Sequence, residues 1–141
     1  MELLHFVVSF VATVCFAMLF NVPRRQYVFC GFTGAVGWMC YRILITAVSV
    51  PAASLAATMA LAALSRVFAV KRKAPITVFL LSGIFPLVPG AGIYNTAYAF
   101  FMDDNAMAVY HGVETLKCAV AIALGIALVL SIPYRRRAKQ A

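Results

Sequence analysis

Residues 85–101 read FPLVPGAGIYNTAYAFF, and they set Pro86, Pro89, Gly90 and Gly92 within seven positions of a chain that is 65% hydrophobic. Each proline removes a backbone donor and disfavours helix in the residue before it. Gly90 and Gly92 accept backbone angles closed to other residues. A helix restarting near Gly90 would present free N–H groups and the positive end of its dipole. Carboxylates and phosphates bind at such an end. Tyr94 and Asn95, on the first turns beyond it, could add side-chain hydrogen bonds to the same anion. The alternative is a proline kink that only shapes packing.

The remaining charged candidates are few. Glu114 and Lys117 are three residues apart, so they can pair on one helix face. A charge inside an apolar span points to function by default, although both could also snorkel to an interface. Arg42 follows Trp38 by four residues and reads as an interface anchor. His5 reads as a marker of the same interface. His111, Glu114 and Cys118 share a helical face, but a zinc site needs three or four ligands and few others are available. The four cysteines, Cys15, Cys30, Cys40 and Cys118, lie in apolar runs without a CxxC pair. They read as reduced, buried packing residues. No metal or cofactor is expected, and no HExxH, GxSxG or P-loop pattern suggests an enzyme.

The elements that must hold these groups are membrane helices. Only 11% of the 141 residues are charged and the mean hydropathy is +0.96, whereas a soluble domain is about 25% charged. Crossing a bilayer takes about 20 apolar residues. The expectation is one all-α transmembrane domain over 1–141, with five spans near 3–22, 27–47, 52–70, 75–102 and 107–132. The fourth is broken near 86–92. The first run lacks a basic leader and an A-x-A site, so it is expected to stay as a mature span. On the third, Ala52, Ala56 and Ala60 form a small-residue stripe suited to close helix contact.

Twelve Lys and Arg face four Asp and Glu. These basic residues sit between apolar runs, so they set membrane orientation and do not mark a nucleic-acid surface. With the N-terminus outside, Arg24, Arg25, Arg66, Lys71, Arg72, Lys73, Arg135, Arg136, Arg137 and Lys139 fall at cytoplasmic ends. Glu2, Asp103 and Asp104 fall outside. A re-entrant hairpin over 75–102 would put the RRR tail on the wrong side, so the broken segment is expected to cross once. The reading is a multi-pass plasma-membrane protein, N-terminus outside and C-terminus cytoplasmic.

PLVPGAGIY, residues 86–94, resembles the P-L-V-P-G-G/A-x-x-Y signature of the threonine/serine exporter family. The likeness is closest to the short, separately encoded membrane subunit of its two-component members. Ala91 stands where that signature has a second glycine, and Gly92 follows. The resemblance implies export of threonine- or serine-type amino acids, or of dicarboxylates such as succinate. It also implies a larger membrane subunit as partner, with oligomerisation left open. The substrate site would comprise Pro86, Pro89, Gly90, Ala91, Gly92, Tyr94 and Asn95, with Lys117 and Glu114 adding charge or proton coupling. The rival role is a non-transporting subunit that assembles or stabilises a partner.

Overall fold

A computed structural model describes residues 2–133 as six α-helices joined by short turns. They are α1 (Glu2–Leu19), α2 (Tyr27–Leu44), α3 (Val50–Arg72), α4 (Ile76–Ile84), α5 (Gly90–Phe101) and α6 (Asn105–Ser131). Single 3-10 turns occupy Arg24–Gln26 and Phe85–Leu87. Three helices, α1, α3 and α6, are long and apolar enough to cross a membrane. The number is four if α4 and α5, bent by 49° at their junction, count as one span. Arg135, Arg136, Arg137 and Lys139 lie outside the described residues.

Three helices stop by the same device. Asn21, Lys73 and Asp103 adopt left-handed angles, with φ of 53°, 52° and 60°. Behind each, the next residue reaches back five positions: Val22 to Ala17 O, Ala74 to Ala69 O and Asp104 to Ala99 O, all at 3.0–3.1 Å. The left-handed residue itself bonds three positions back. This double bond satisfies carbonyls the helix leaves over. Glycine usually fills that position, yet no glycine among the described residues has a positive φ. The glycines serve another purpose.

That purpose is contact. α2 is the hub, packed on α1, α3 and α4. A Cβ on Gly31 would strike Phe10 and Val14, one on Gly34 would strike Thr13, and one on Gly37 would strike Leu61. α6 docks on α3 in the same manner, because a Cβ on Gly125 would lie 2.9 Å from the Leu55 carbonyl oxygen. Small residues bring backbones close where lipid supplies no hydrophobic drive between helices. On α3 the buried small residues are Ala53, Ser54, Ala57, Thr58, Ala62 and Ser65. Ala52 is exposed and Ala56 and Ala60 are only half-buried, so the packed stripe is rotated from the expected one. Seven of the twelve residues from 50 to 61 are Ala, Ser or Thr, spread over all sides of the helix, and the sequence pattern alone does not choose between neighbouring faces.

Most buried hydroxyls are bonded within their own helices, whereas Ser9 donates to Gly34 O of α2 at 3.4 Å and Ser65 Oγ has no partner among the described residues. Thr13 donates to Ser9 O at 2.8 Å, Thr33 to Phe29 O at 2.7 Å, Thr58 to Ser54 O at 2.7 Å and Ser82 to Val78 O at 2.7 Å. Each bond removes a donor that hydrocarbon could not solvate. The four cysteines are free thiols. Cys30 and Cys118 are buried and Cys40 is half-buried, but Cys15 is exposed on the outer side of α1, against the expectation of burial.

Two substitutions test these devices by thermal melting in detergent. Gly125→Ala, pressed against a backbone oxygen, should cost about 1–3 kcal/mol, the usual range for overpacking. Lys73→Gly should raise stability by roughly 1 kcal/mol, because it relieves the left-handed conformation of a side-chain-bearing residue. A variant Gly125→Ala that melts with the parent would disprove the close α3–α6 approach.

Candidate functional site

The junction between α4 and α5 follows from its two prolines. Pro86 cannot donate to Ser82 O, nor Pro89 to Phe85 O, so the helical ladder stops. The chain re-bonds locally: Val88 N–H donates to Phe85 O at 3.2 Å, and Gly90 N–H to Val88 O at 2.7 Å. Pro89, at φ −76° and ψ 59°, is the centre of an inverse γ-turn. The carbonyls of Phe85 and Val88 are therefore occupied. The Gly90 N–H is occupied as well. Ile93 donates to Pro89 O at 3.1 Å as the first helical bond of α5. The amides of Ala91 and Gly92 precede that bond and form the open N-terminus.

The two sides of the junction differ in cover. The Phe85 ring stacks on Phe16 at 4.2 Å and lies 5.4 Å from Phe20. Leu87 is buried. Phe85 and Pro86 also wall a groove of about 220 Å³ with His5, Ser9, Phe16 and Trp38. Beyond Leu87 the cover ends. Gly90 and Ala91 are exposed, and a Cβ on Gly90 would have nothing within 4 Å. Tyr94 is 66% exposed and its ring stacks on Tyr98 at 6.1 Å. Asn95 is exposed. α5 packs chiefly on α6, and between Val88 and Lys117 only Ala99 and Ala108 are buried.

Within this arm the decisive contact is Gly92 on Thr115, where a Cβ would strike the Thr115 hydroxyl. Thr115 donates to His111 O and Thr96 to Gly92 O, each at 2.7 Å. Sequence reasoning assigned no role to Thr96 or Thr115. A glycine facing a threonine across a short polar turn is the signal that could have found them.

Glu114 and Lys117 form an ion pair at 2.6 Å, with side chains 41% and 55% exposed. Lys117 is two residues from Thr115, about 200° around the helix. It lines a groove with Ser49, Pro51 and Leu55 at the start of α3. Within one chain the acid–base pair therefore occupies a different side of α6 from the α5 N-terminus. Arg42 is paired with Glu2 at 3.4 Å, which ties the end of α2 to the start of α1.

The charges of the described bundle are sorted by end. Arg24, Arg25, Arg66, Lys71, Arg72 and Lys73 belong to the helix ends around the α1–α2 and α3–α4 turns. There Arg72 donates to Gln26 Oε1 at 3.3 Å and lies over the Phe29 ring at 4.5 Å. Glu2, Asp103 and Asp104 belong to the opposite ends.

Comparison with known proteins finds the family of this chain. The family described as threonine/serine exporter, ThrE, matches residues 5–132, nearly the whole chain. No curated protein and no solved structure matches.

The Gly92–Thr115 contact should control how α5 lies on α6. Gly92→Leu should lower the melting temperature in detergent by several degrees, whereas Gly90→Ala, in open space, should leave it unchanged. Equal effects would mean that α5 is not seated on α6 through Gly92.

Proposed function

The chain belongs to the threonine/serine exporter family and so has an exporter-type role in membrane transport; from that premise we propose that it is one membrane half of a secondary exporter of small carboxylate-bearing solutes. Threonine, serine and dicarboxylates such as succinate are the candidate cargoes. The carrying observation is the α4–α5 junction. Its first side is packed on the bundle, and its second side offers the Ala91 and Gly92 amides with Tyr94 and Asn95 in the open. Discontinuous helices of this kind hold anionic groups in transporters.

The proposed topology is five spans, with α4 and α5 together making a broken fourth. The basic end, where α4 begins after Lys73, and the acidic end, where α6 begins after Asp104, favour one crossing. α2 is not among the helices long and apolar enough to cross by themselves, but it sits among α1, α3 and α4 and need not be apolar all round. The sorting of charge favours an outside N-terminus and a cytoplasmic C-terminus.

A larger membrane partner is proposed to cover the α5–α6 arm. Asn95, Glu114 and Lys117 facing hydrocarbon would be costly. A second half supplying polar partners or a water-filled cavity removes that cost. In such a complex Pro86, Pro89, Gly90, Ala91, Gly92, Tyr94 and Asn95 form this chain's share of the solute site. Lys117 with Glu114 couples charge or protons from the other side of α6.

Efflux of labelled serine, threonine and succinate from cells carrying both subunits tests the proposal. Gly90→Leu, which crowds the open amides, should reduce efflux about tenfold or more, the scale of losing a charge-assisted contact. Lys117→Ala should reduce it as well, with partner co-purification intact. Unchanged efflux with intact assembly would leave only the assembling role. Thiol labelling of single cysteines at positions 104 and 139 should give opposite sidedness, and equal sidedness would end the five-span topology.

A further inference from the structure

A second groove joins charge to apolar surface at the basic end of the bundle. It lies between the last turns of α3 and the end of α6, encloses about 390 Å³, and is lined by Arg66, Val67, Val70 and Lys71 on one wall and by Val129 and Ile132 on the other.

One side chain builds the groove. Val129 O would accept a helical bond from residue 133, but that residue is proline and has no N–H. Arg66 supplies the missing donor from α3, giving Nη1 to Val129 O at 2.5 Å and Nη2 to Ile132 O. The guanidinium thus sits at the negative end of the α6 dipole and fixes α6 against α3. Lys71 is five residues further along, about 7.5 Å nearer the end of α3, and is exposed.

The four acids of the chain are Glu2, Asp103, Asp104 and Glu114, and all belong to the other ends or to the first half of α6. The sequence continues past Pro133 with Arg135, Arg136 and Arg137. By contrast, the larger groove between α5 and α6, about 770 Å³, has no charged lining residue.

We infer that the α3–α6 groove holds an anionic phospholipid. Its phosphate meets the Lys71 ammonium with Arg66 behind it, and one acyl chain runs along Val67, Val70, Val129 and Ile132. Basic pockets between membrane helices take anionic head groups in this way. A free phosphate would leave the apolar walls uncovered. A zwitterionic lipid brings its own cation toward Lys71. The inference rests on the membrane location of the chain and not on the solute it exports.

The test uses the full chain, delipidated in detergent and titrated with phosphatidylglycerol or phosphatidylcholine, with bound lipid read by native mass spectrometry. Phosphatidylglycerol should be retained roughly tenfold better than phosphatidylcholine, and Lys71→Glu should cut its retention about fivefold or more. Val67→Trp, which fills the groove without changing charge, should cut it too. Arg24→Glu makes the same charge change on the α1–α2 turn, outside the groove, and should leave retention intact. Inorganic phosphate at the same concentration should not displace the lipid. Equal retention of both lipids, full retention in Lys71→Glu and Val67→Trp, equal loss in Arg24→Glu, or displacement by inorganic phosphate would each overturn the assignment.

Discussion

A peptide group that enters hydrocarbon must find its hydrogen-bond partner inside the protein, and this constraint shapes every feature of the chain. It makes the described residues helical from Glu2 to Ser131 apart from short turns. It explains why α1, α3 and α5 end on the same paired back-bonds, although a lysine, an asparagine and an aspartate must adopt left-handed angles to form them. It also explains why Thr13, Thr33, Ser54, Thr58 and Ser82 bond the carbonyl four residues back. The strain of three left-handed side chains is smaller than the cost of several bare carbonyls in lipid.

Packing follows from the same setting. Lipid tails compete equally for apolar side chains, so helix association depends on close van der Waals contact. Gly31, Gly34 and Gly37 let α1 and α3 approach α2, and Gly125 lets α6 approach the backbone of α3. Aromatic rings fill what remains: Phe29, Phe32, Phe68 and Phe79 meet near the basic end, and Phe16 and Phe20 hold Phe85. The Phe85 contact matters most for the candidate site, because it anchors one side of the junction while the other side stays open.

Proline breaks the backbone rule twice, with different outcomes. At Pro133 the lost donor is replaced from another helix by Arg66, and the result is a fixed joint between α3 and α6. At Pro86 and Pro89 the chain repairs itself with a 3-10 turn and an inverse γ-turn, and two amides at the head of α5 remain ahead of its first helical bond. The first break adds rigidity. The second leaves hydrogen-bonding capacity in an exposed arm that carries Tyr94, Asn95, Glu114 and Lys117.

The amino-acid sequence by itself determined the all-helical membrane class, the approximate places of the turns near residues 23–25, 71–73 and 103–105, an interruption near residues 86–92, and the family. Those features depend on local chemistry: apolar run length, proline, and clustered charge. The ion pair of Glu114 with Lys117 was legible for the same reason, since both residues share one helix. Only the tertiary structure decided which face of α3 is packed, because Ala, Ser and Thr are spread over all sides of its first half and periodicity carries little phase there. It alone showed that Thr115 seats Gly92, that Lys117 lies around α6 from the open amides, and that Cys15 faces outward. These are relations between faces of different helices, set by how glycines and rings interlock across the bundle, and no spacing along one strand of sequence encodes them.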